Sequence, residues 1–416
     1  MEPGRRPGPE EIAEQRAATE HAARLITELQ QRPDFQRFLT PLPLGLDDLR
    51  PAAAEGPVVS VNVHPRRCDA LVLGPDGVLP VPLPRLDRRR SRRPGRVLPA
   101  GRRRALAAGP GRDPLFEGAR EIFTGTLAWL WDVLAEPVLD ALGFTGPPAP
   151  GAPWPRLWWS PSGVLNSFPL HAAGHHGPGA ARRRGRPSWT GWPPTRRTLR
   201  ALLYSRARRR AAPGRRGVLA VAMPETPGQE PLARTVAEAA GAVAASGGER
   251  LIGPEATRAA VCGALRAAAV VHFACHADSD AEDAAAGRLL LADGGPVYVG
   301  EIAELHLESA ELAYLSACGT ARGSASSPAS LSTRSSIWPR SSRWAGYTQS
   351  VATLWEVGDA FAAKRRRRLP PGSWPPAPHS PPLLPAALAL HDTVRALRAA
   401  DPERPWTWSA LVHAGA

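Results

Sequence analysis

Two runs in this 416-residue chain end in side chains able to do covalent chemistry: Ala268 to His276 reads AAVVHFACH, and Ala310 to Cys318 reads AELAYLSAC. A thiol of ordinary pKa is mostly protonated at neutral pH, so a nucleophilic Cys318 needs a base or an electropositive neighbour. An imidazole delivered by the adjacent strand, His276, could be that base. His272 and Cys275 lie inside the strand pattern and are read as packing.

The elements that must position the pair follow from their composition. Short apolar runs bounded by polar or small residues suit strands buried on both faces of a parallel sheet, and open α/β sheets place their chemistry at the carboxyl ends of such strands. From residue 217 a βαβ alternation is predicted: strand 217–222, helix 231–246, strand 250–252, helix 255–267 and strand 268–275, followed by strands at 311–317 and 350–355. Upstream, residues 10–38 read as an amphipathic helix, 57–83 as a hairpin, and 114–143 as a long apolar-striped helix interrupted near Pro137.

With these residues in place, the chain resembles the CHAT domain, a caspase-like and separase-like cysteine peptidase module often fused to tetratricopeptide repeats. The blocks HFACH (272–276) and LSACGT (315–320) carry the likeness. Val58–Val63, Trp158–Gly163, Phe168–Ala173, Gly217–Pro224 and Ser350–Gly358 extend it in order along most of the chain. The resemblance implies an α/β caspase-like sandwich with a mostly parallel central sheet flanked by helices, plus an N-terminal α+β subdomain. The expected division is a linker helix at 1–40, the α+β part at 41–215 and the catalytic part at 216–416. It further implies a peptidase in which His276 is the general base and Cys318 the nucleophile, with the oxyanion held by backbone N–H groups at Ala277 and Cys318. A protein or peptide is the expected substrate, a protein partner or upstream repeat domain the expected associate, and no cofactor is expected. The alternatives are a non-catalytic interaction module on the same fold and an inactive product of a disrupted gene.

The sequence departs from the family pattern at Ala277, which stands where the family carries glycine directly after the histidine. If that backbone needs a glycine conformation, the methyl group impairs the site. Asp278 could orient His276, and Asp293 could line a specificity pocket, although it reads first as a turn residue. His171, His175 and His176 cluster without a cysteine or carboxylate at ligand spacing, so no metal site is expected. Trp158 and Trp159 read as core or as the wall of a subsite.

Composition bounds the setting. Four scattered cysteines form neither a zinc pattern nor a disulfide framework, which fits a reducing cytoplasm. The amino terminus has no apolar signal region, and no uninterrupted apolar run reaches membrane-spanning length. The net charge of +14 suggests nucleic acid at first sight. The distribution of arginine argues against that. Residues 85–112, 182–197, 325–344 and 364–383 hold 25 of the 52 basic residues and a single acid, Asp87, which leaves the remainder of the chain net acidic.

Out-of-frame translation of G+C-rich DNA accounts for these four stretches, because it yields Arg, Pro, Gly, Ser and Trp. Residues 333–344 have a synonymous coding whose frame one base earlier spells DAFVHLAAVFQV, helical text suited to follow Cys318. Residues 189–197 likewise restore LDRVASYTP, and 89–101 restore DAVADRVESFLRA. Sequencing the encoding DNA across codons 80–115 and 180–200 is expected to reveal compensating frame slips. A clean confirmation of the present frame would sink the idea and return the stretches to the class of solvated basic loops.

Overall fold

The computed structural model describes most of residues 45–86, 114–176, 195–211, 217–278, 287–316, 346–355 and 386–415, with scattered positions elsewhere. The stretches 325–344 and 364–383 lie outside the described residues, as do nearly all of 85–112 and 182–197. The chain divides into two units, Met1–Asp48 and Leu49–Ala416. In the first, the described positions between 17 and 28 are helical.

The second unit opens with β1 (Val58–Val63), β2 (Cys68–Gly74) and β3 (Gly77–Pro82), then continues with β4 (Trp158–Pro161), β5 (Thr195–Arg196), β6 (Gly217–Ala222), β7 (Glu249–Ile252) and β8 (Ala268–Ala274). Three two-residue strands follow, β9 (Ala277–Asp278), β10 (Arg288–Leu289) and β11 (Val297–Tyr298), before β12 (Leu312–Leu315), β13 (Gln349–Thr353) and β14 (Leu411–Gly415). Eleven of them form one sheet in the order β3-β2-β1-β4-β5-β14-β13-β12-β8-β6-β7, and β11-β10-β9 form a second, small sheet. The expected hairpin at 57–83 is a three-stranded antiparallel meander, because Gly77 at φ +145° makes a second reversal that the hydrophobic pattern alone does not announce. From β7 through β6, β8 and β12 to β13 every pairing is parallel, and β14 closes this part antiparallel to β13.

Alternation along these strands builds a core on each side of the sheet. On one side lie Val218, Ala220, Val270, Leu312, Tyr314 and Val351. On the other lie Leu219, Val221, Val271, Phe273, Ala313 and Leu315. All seven residues of β8 are buried, the signature of a central strand covered on both faces. The start of β6 is tight: a Cβ on Gly217 would stand 2.4 Å from the Ala267 carbonyl oxygen, so only glycine lets β6 pass that backbone.

Helices cover both faces. They are α1 (Pro114–Leu130), α2 (Glu136–Ala141), α3 (Leu199–Ala211), α4 (Thr235–Val243), α5 (Arg258–Leu265), α6 (Val299–Glu304), α7 (Ala386–Ala400) and α8 (Pro405–Trp408). A π-turn at Trp131–Ala135 joins α1 to α2. Pro137 is the second residue of α2, and the wide turn before it takes up the carbonyl that the proline can neither bond nor tolerate at α-helical spacing. The α1–α2 stretch is long and apolar enough to cross a membrane by length and composition. Its apolar side is buried, with Phe116 edge-on to Trp406 and Phe123 against Trp355, each at 5.4 Å between ring centroids.

Two histidines in this layer are held neutral. Burial, aided by Arg398, pulls His176 down to about 3, and burial with Arg395 does the same to His391. Both exchange protons near 6.5 when unfolded, so below that pH the unfolded chain binds protons that the folded chain does not. Stability is therefore expected to be fully present above pH 6.5 and to fall progressively toward pH 3. His391→Phe should make the fall of the melting temperature with pH shallower, as read from thermal melts between pH 7 and 4; an unchanged slope contradicts the assignment.

Candidate functional site

The parallel register brings three strand ends level. Leu312 pairs with Val270 and Leu315 with Phe273 across β12 and β8, and Ala222 of β6 pairs with Ala274. Beyond the strands the ladder runs one step further on each side: Ser316 N donates to Phe273 O and Met223 N to Ala274 O, both at 2.9 Å. Strand order reverses here, since β7 lies on one side of β6 and β8 on the other. Diverging connections at such a reversal open a crevice at the carboxyl ends. A cleft of roughly 550 Å³ occupies that position beside β6 and β7, lined by Met223, Pro224, Thr226, Gln229, Gly253 and Ala292.

His276 stands at the end of β8, half-buried. Its Nε2 lies 2.8 Å from the Glu230 carbonyl oxygen, in the connection that follows β6. A carbonyl only accepts, so Nε2 carries the hydrogen, and in the neutral imidazole the lone pair is then on Nδ1. The main chain is fixed as well. His276 O accepts from Leu290 N at 2.9 Å, and the next two residues form β9, paired with β10. This small sheet takes hold of the chain immediately after the imidazole.

Ala277 is a strand residue with 2 % of its surface exposed, packed in the same apolar cluster as Leu289 and Leu291. Among the described residues the non-glycine with positive φ is His306, so the backbone at Ala277 makes no demand for glycine. In an antiparallel ladder alternate residues face the partner strand with their hydrogen-bonding groups. The Leu290-to-His276 bond fixes the phase, and it turns the Ala277 amide away from β10.

The other residues singled out in the sequence have varied settings. Cys318 lies outside the described residues, as does the side chain of Asp278, whose backbone belongs to β9. Asp293 is exposed in a turn, and its carboxylate accepts from Arg258 N at 3.0 Å at the start of α5. Cys275 is fully buried, and burial pushes its thiol up to about 12. His175 pairs with Asp132 at 2.8 Å, and His176 accepts from Arg398 Nε at 3.2 Å. No group of three or more metal-ligating side chains occurs among the described residues. Trp158 is core: its Nε1–H donates to Gly415 O at 2.9 Å, and the guanidinium groups of Arg156 and Arg206 lie 4.4 and 4.9 Å from its ring centroid.

Sequence reasoning missed two groups. One is the Glu230 carbonyl, a main-chain atom with no sequence signal. The other is Glu238 of α4, a buried acid within an alanine-rich helix. Ser316 Oγ donates to Glu238 Oε2 at 2.5 Å, and His272 Nε2 lies 3.5 Å from the same oxygen. An acid on the buried face of a helix, opposite a histidine inside a strand, was the available signal.

A family model described as CHAT domain matches residues 124–416. Among solved structures, the fold is similar to separase in two crystal structures of the Saccharomyces cerevisiae separase–securin complex. For the one at 2.6 Å the TM-score is 0.55 at 11% identity, covering 89% of this chain and 31% of separase; for the one at 3.0 Å the values are 0.54, 12%, 89% and 30%. This chain thus spans about a third of the separase chain. No curated protein matches it.

Because burial keeps Cys275 protonated, it should resist alkylation in the folded protein at pH 8. Iodoacetamide treatment followed by peptide mapping is expected to leave Cys275 unmodified until denaturant is added; rapid native labelling of Cys275 contradicts its placement.

Proposed function

This chain belongs to the CHAT domain family and has a caspase-like fold, and from that premise we propose that it is a cysteine endopeptidase using His276 and Cys318. The observation that carries the reading is the orientation of His276, whose Nε2–H is engaged by the Glu230 carbonyl and whose Nδ1 is left as the base. The strand register supports it: Leu315 pairs with Phe273, and in the sequence Cys318 and His276 each follow those paired residues by three positions.

In the proposed reaction Nδ1 takes the Cys318 thiol proton as sulfur attacks the peptide carbonyl carbon. The tetrahedral oxyanion would be met by the N–H groups of Ala277 and Cys318. Collapse breaks the C–N bond, the imidazolium returns its proton to the departing amine, and water then hydrolyses the thioester with His276 again as base. An extended polypeptide lying across the carboxyl ends would pass the cleft beside β6 and β7. The separase structures contain a protein partner, securin, which is compatible with a protein partner for this chain.

A second reading concerns competence rather than chemistry. The composition of 325–344, seven residues on from the nucleophile, with eight serines, three arginines and no acidic residue, favours a frame-disrupted sequence in which the segment after Cys318 no longer supports the thiol. The two readings separate in one experiment. Site-resolved alkylation of Cys318 should be fast in the wild type and slower by a factor on the order of 10² in His276→Ala. A cooperatively folded sample in which Cys318 reacts no faster than a free cysteine, with no effect of His276→Ala, overturns the peptidase reading. Fast, His276-dependent labelling overturns the reading of incompetence.

A further inference from the structure

Three polar side chains from three elements meet under the strand ends, and no step of the peptidase reaction uses them. Glu238 comes from α4, His272 from β8 and Ser316 from the end of β12. The Glu238 and His272 side chains are 6% and 7% exposed, and one carboxyl oxygen, Oε2, accepts from the Ser316 hydroxyl at 2.5 Å and lies 3.5 Å from His272 Nε2, too far for a hydrogen bond. The His272 ring packs in a T-shaped contact with Tyr314 of β12, at 4.8 Å between centroids and 83° between planes.

Burying a carboxyl group in an alanine-rich helix costs free energy unless it is hydrogen-bonded. Its placement therefore calls for a partner, and the partner it reaches lies two residues before Cys318. Ser316 is also the last residue of β12's ladder, donating its N–H to Phe273 O. Both ends of that residue are tied, the backbone to β8 and the hydroxyl to α4. The polypeptide from 230 to 238 thus holds two points at the strand ends, with the Glu230 carbonyl on the His276 ring and the Glu238 carboxyl on Ser316, two residues before Cys318 in the sequence.

We propose that Glu238 is a positioning residue for the nucleophile, acting through the Ser316 hydroxyl to set where the chain leaves β12. This inference rests on the reading of His276 and Cys318 as a dyad. An acceptor for the hydroxyl is what the geometry requires, so glutamine should serve and alanine should not. A misplacement of about an ångström can cost two orders of magnitude in rate, so a loosened strand end is expected to cost roughly tenfold.

The test is the rate of Cys318 alkylation and the turnover of a peptide substrate in wild type, Glu238→Ala, Glu238→Gln, Ser316→Ala and the double alanine variant, each checked for a cooperative melt. Glu238→Ala and Ser316→Ala should each lower kcat and the Cys318 labelling rate about tenfold with KM unchanged. Glu238→Gln should stay within about threefold of wild type, and the double variant should be no slower than either single one, since both remove one interaction. A folded Glu238→Ala protein with wild-type rates overturns the inference while the dyad stands. So does an additive loss in the double variant. A wild-type thiol with no His276 dependence removes the dyad and this inference together.

Discussion

The arrangement at the strand ends depends on the parallel pairing of β6, β8 and β12. Parallel neighbours run the same way, so once their hydrogen bonds are in register their carboxyl ends coincide, whatever lies between them in sequence. Burial on both faces fixes that register. Each residue of β8 is enclosed, and a slip by one position would exchange the side chains facing the two cores, moving Val271 and Phe273 to the side of Ala220 and Tyr314. The core thus determines which residue of each strand is last, and so where the chemistry-bearing side chains emerge.

What happens after the last residue is governed by different forces. His276 is held by a main-chain carbonyl on one side and, through its own backbone, by the small sheet of β9, β10 and β11 on the other. Such hydrogen bonds choose the tautomer as well as the direction of the ring, which packing cannot do. The same connection that supplies the carbonyl also lines the cleft, so the residues of the cleft wall and the group that holds the His276 ring share one short stretch of chain.

This division explains what was legible in the sequence. The apolar runs at 217–222 and 268–275 identify β6 and β8 almost to the residue, because their periodicity is the cause of their burial. The helices came out shorter than their patterns, with α4 ending at Val243 where the alanine-rich text runs on. β14 went unread: its alternation is brief, and its place beside β13 depends on pairing across some sixty intervening positions. At the strand ends, His276 could be singled out by residue type, while the group that holds its ring was hidden because a carbonyl oxygen is the same in every residue. Glu238 was visible as a letter and opaque as a role, since only tertiary contact brings it under Ser316.

Ala277 shows how a local rule can mislead when the backbone state is unknown. Glycine after a catalytic histidine suggests a conformation closed to other residues, and an alanine there would then be damaging. Here the residue is a strand member, its methyl group fills space in an apolar cluster, and its amide points away from β10. A methyl group at such a position adds buried apolar surface and costs nothing in dihedral strain. The substitution therefore does not separate a working site from a silent one. That distinction passes to the stretch after Cys318, where the composition of the sequence is the unusual feature.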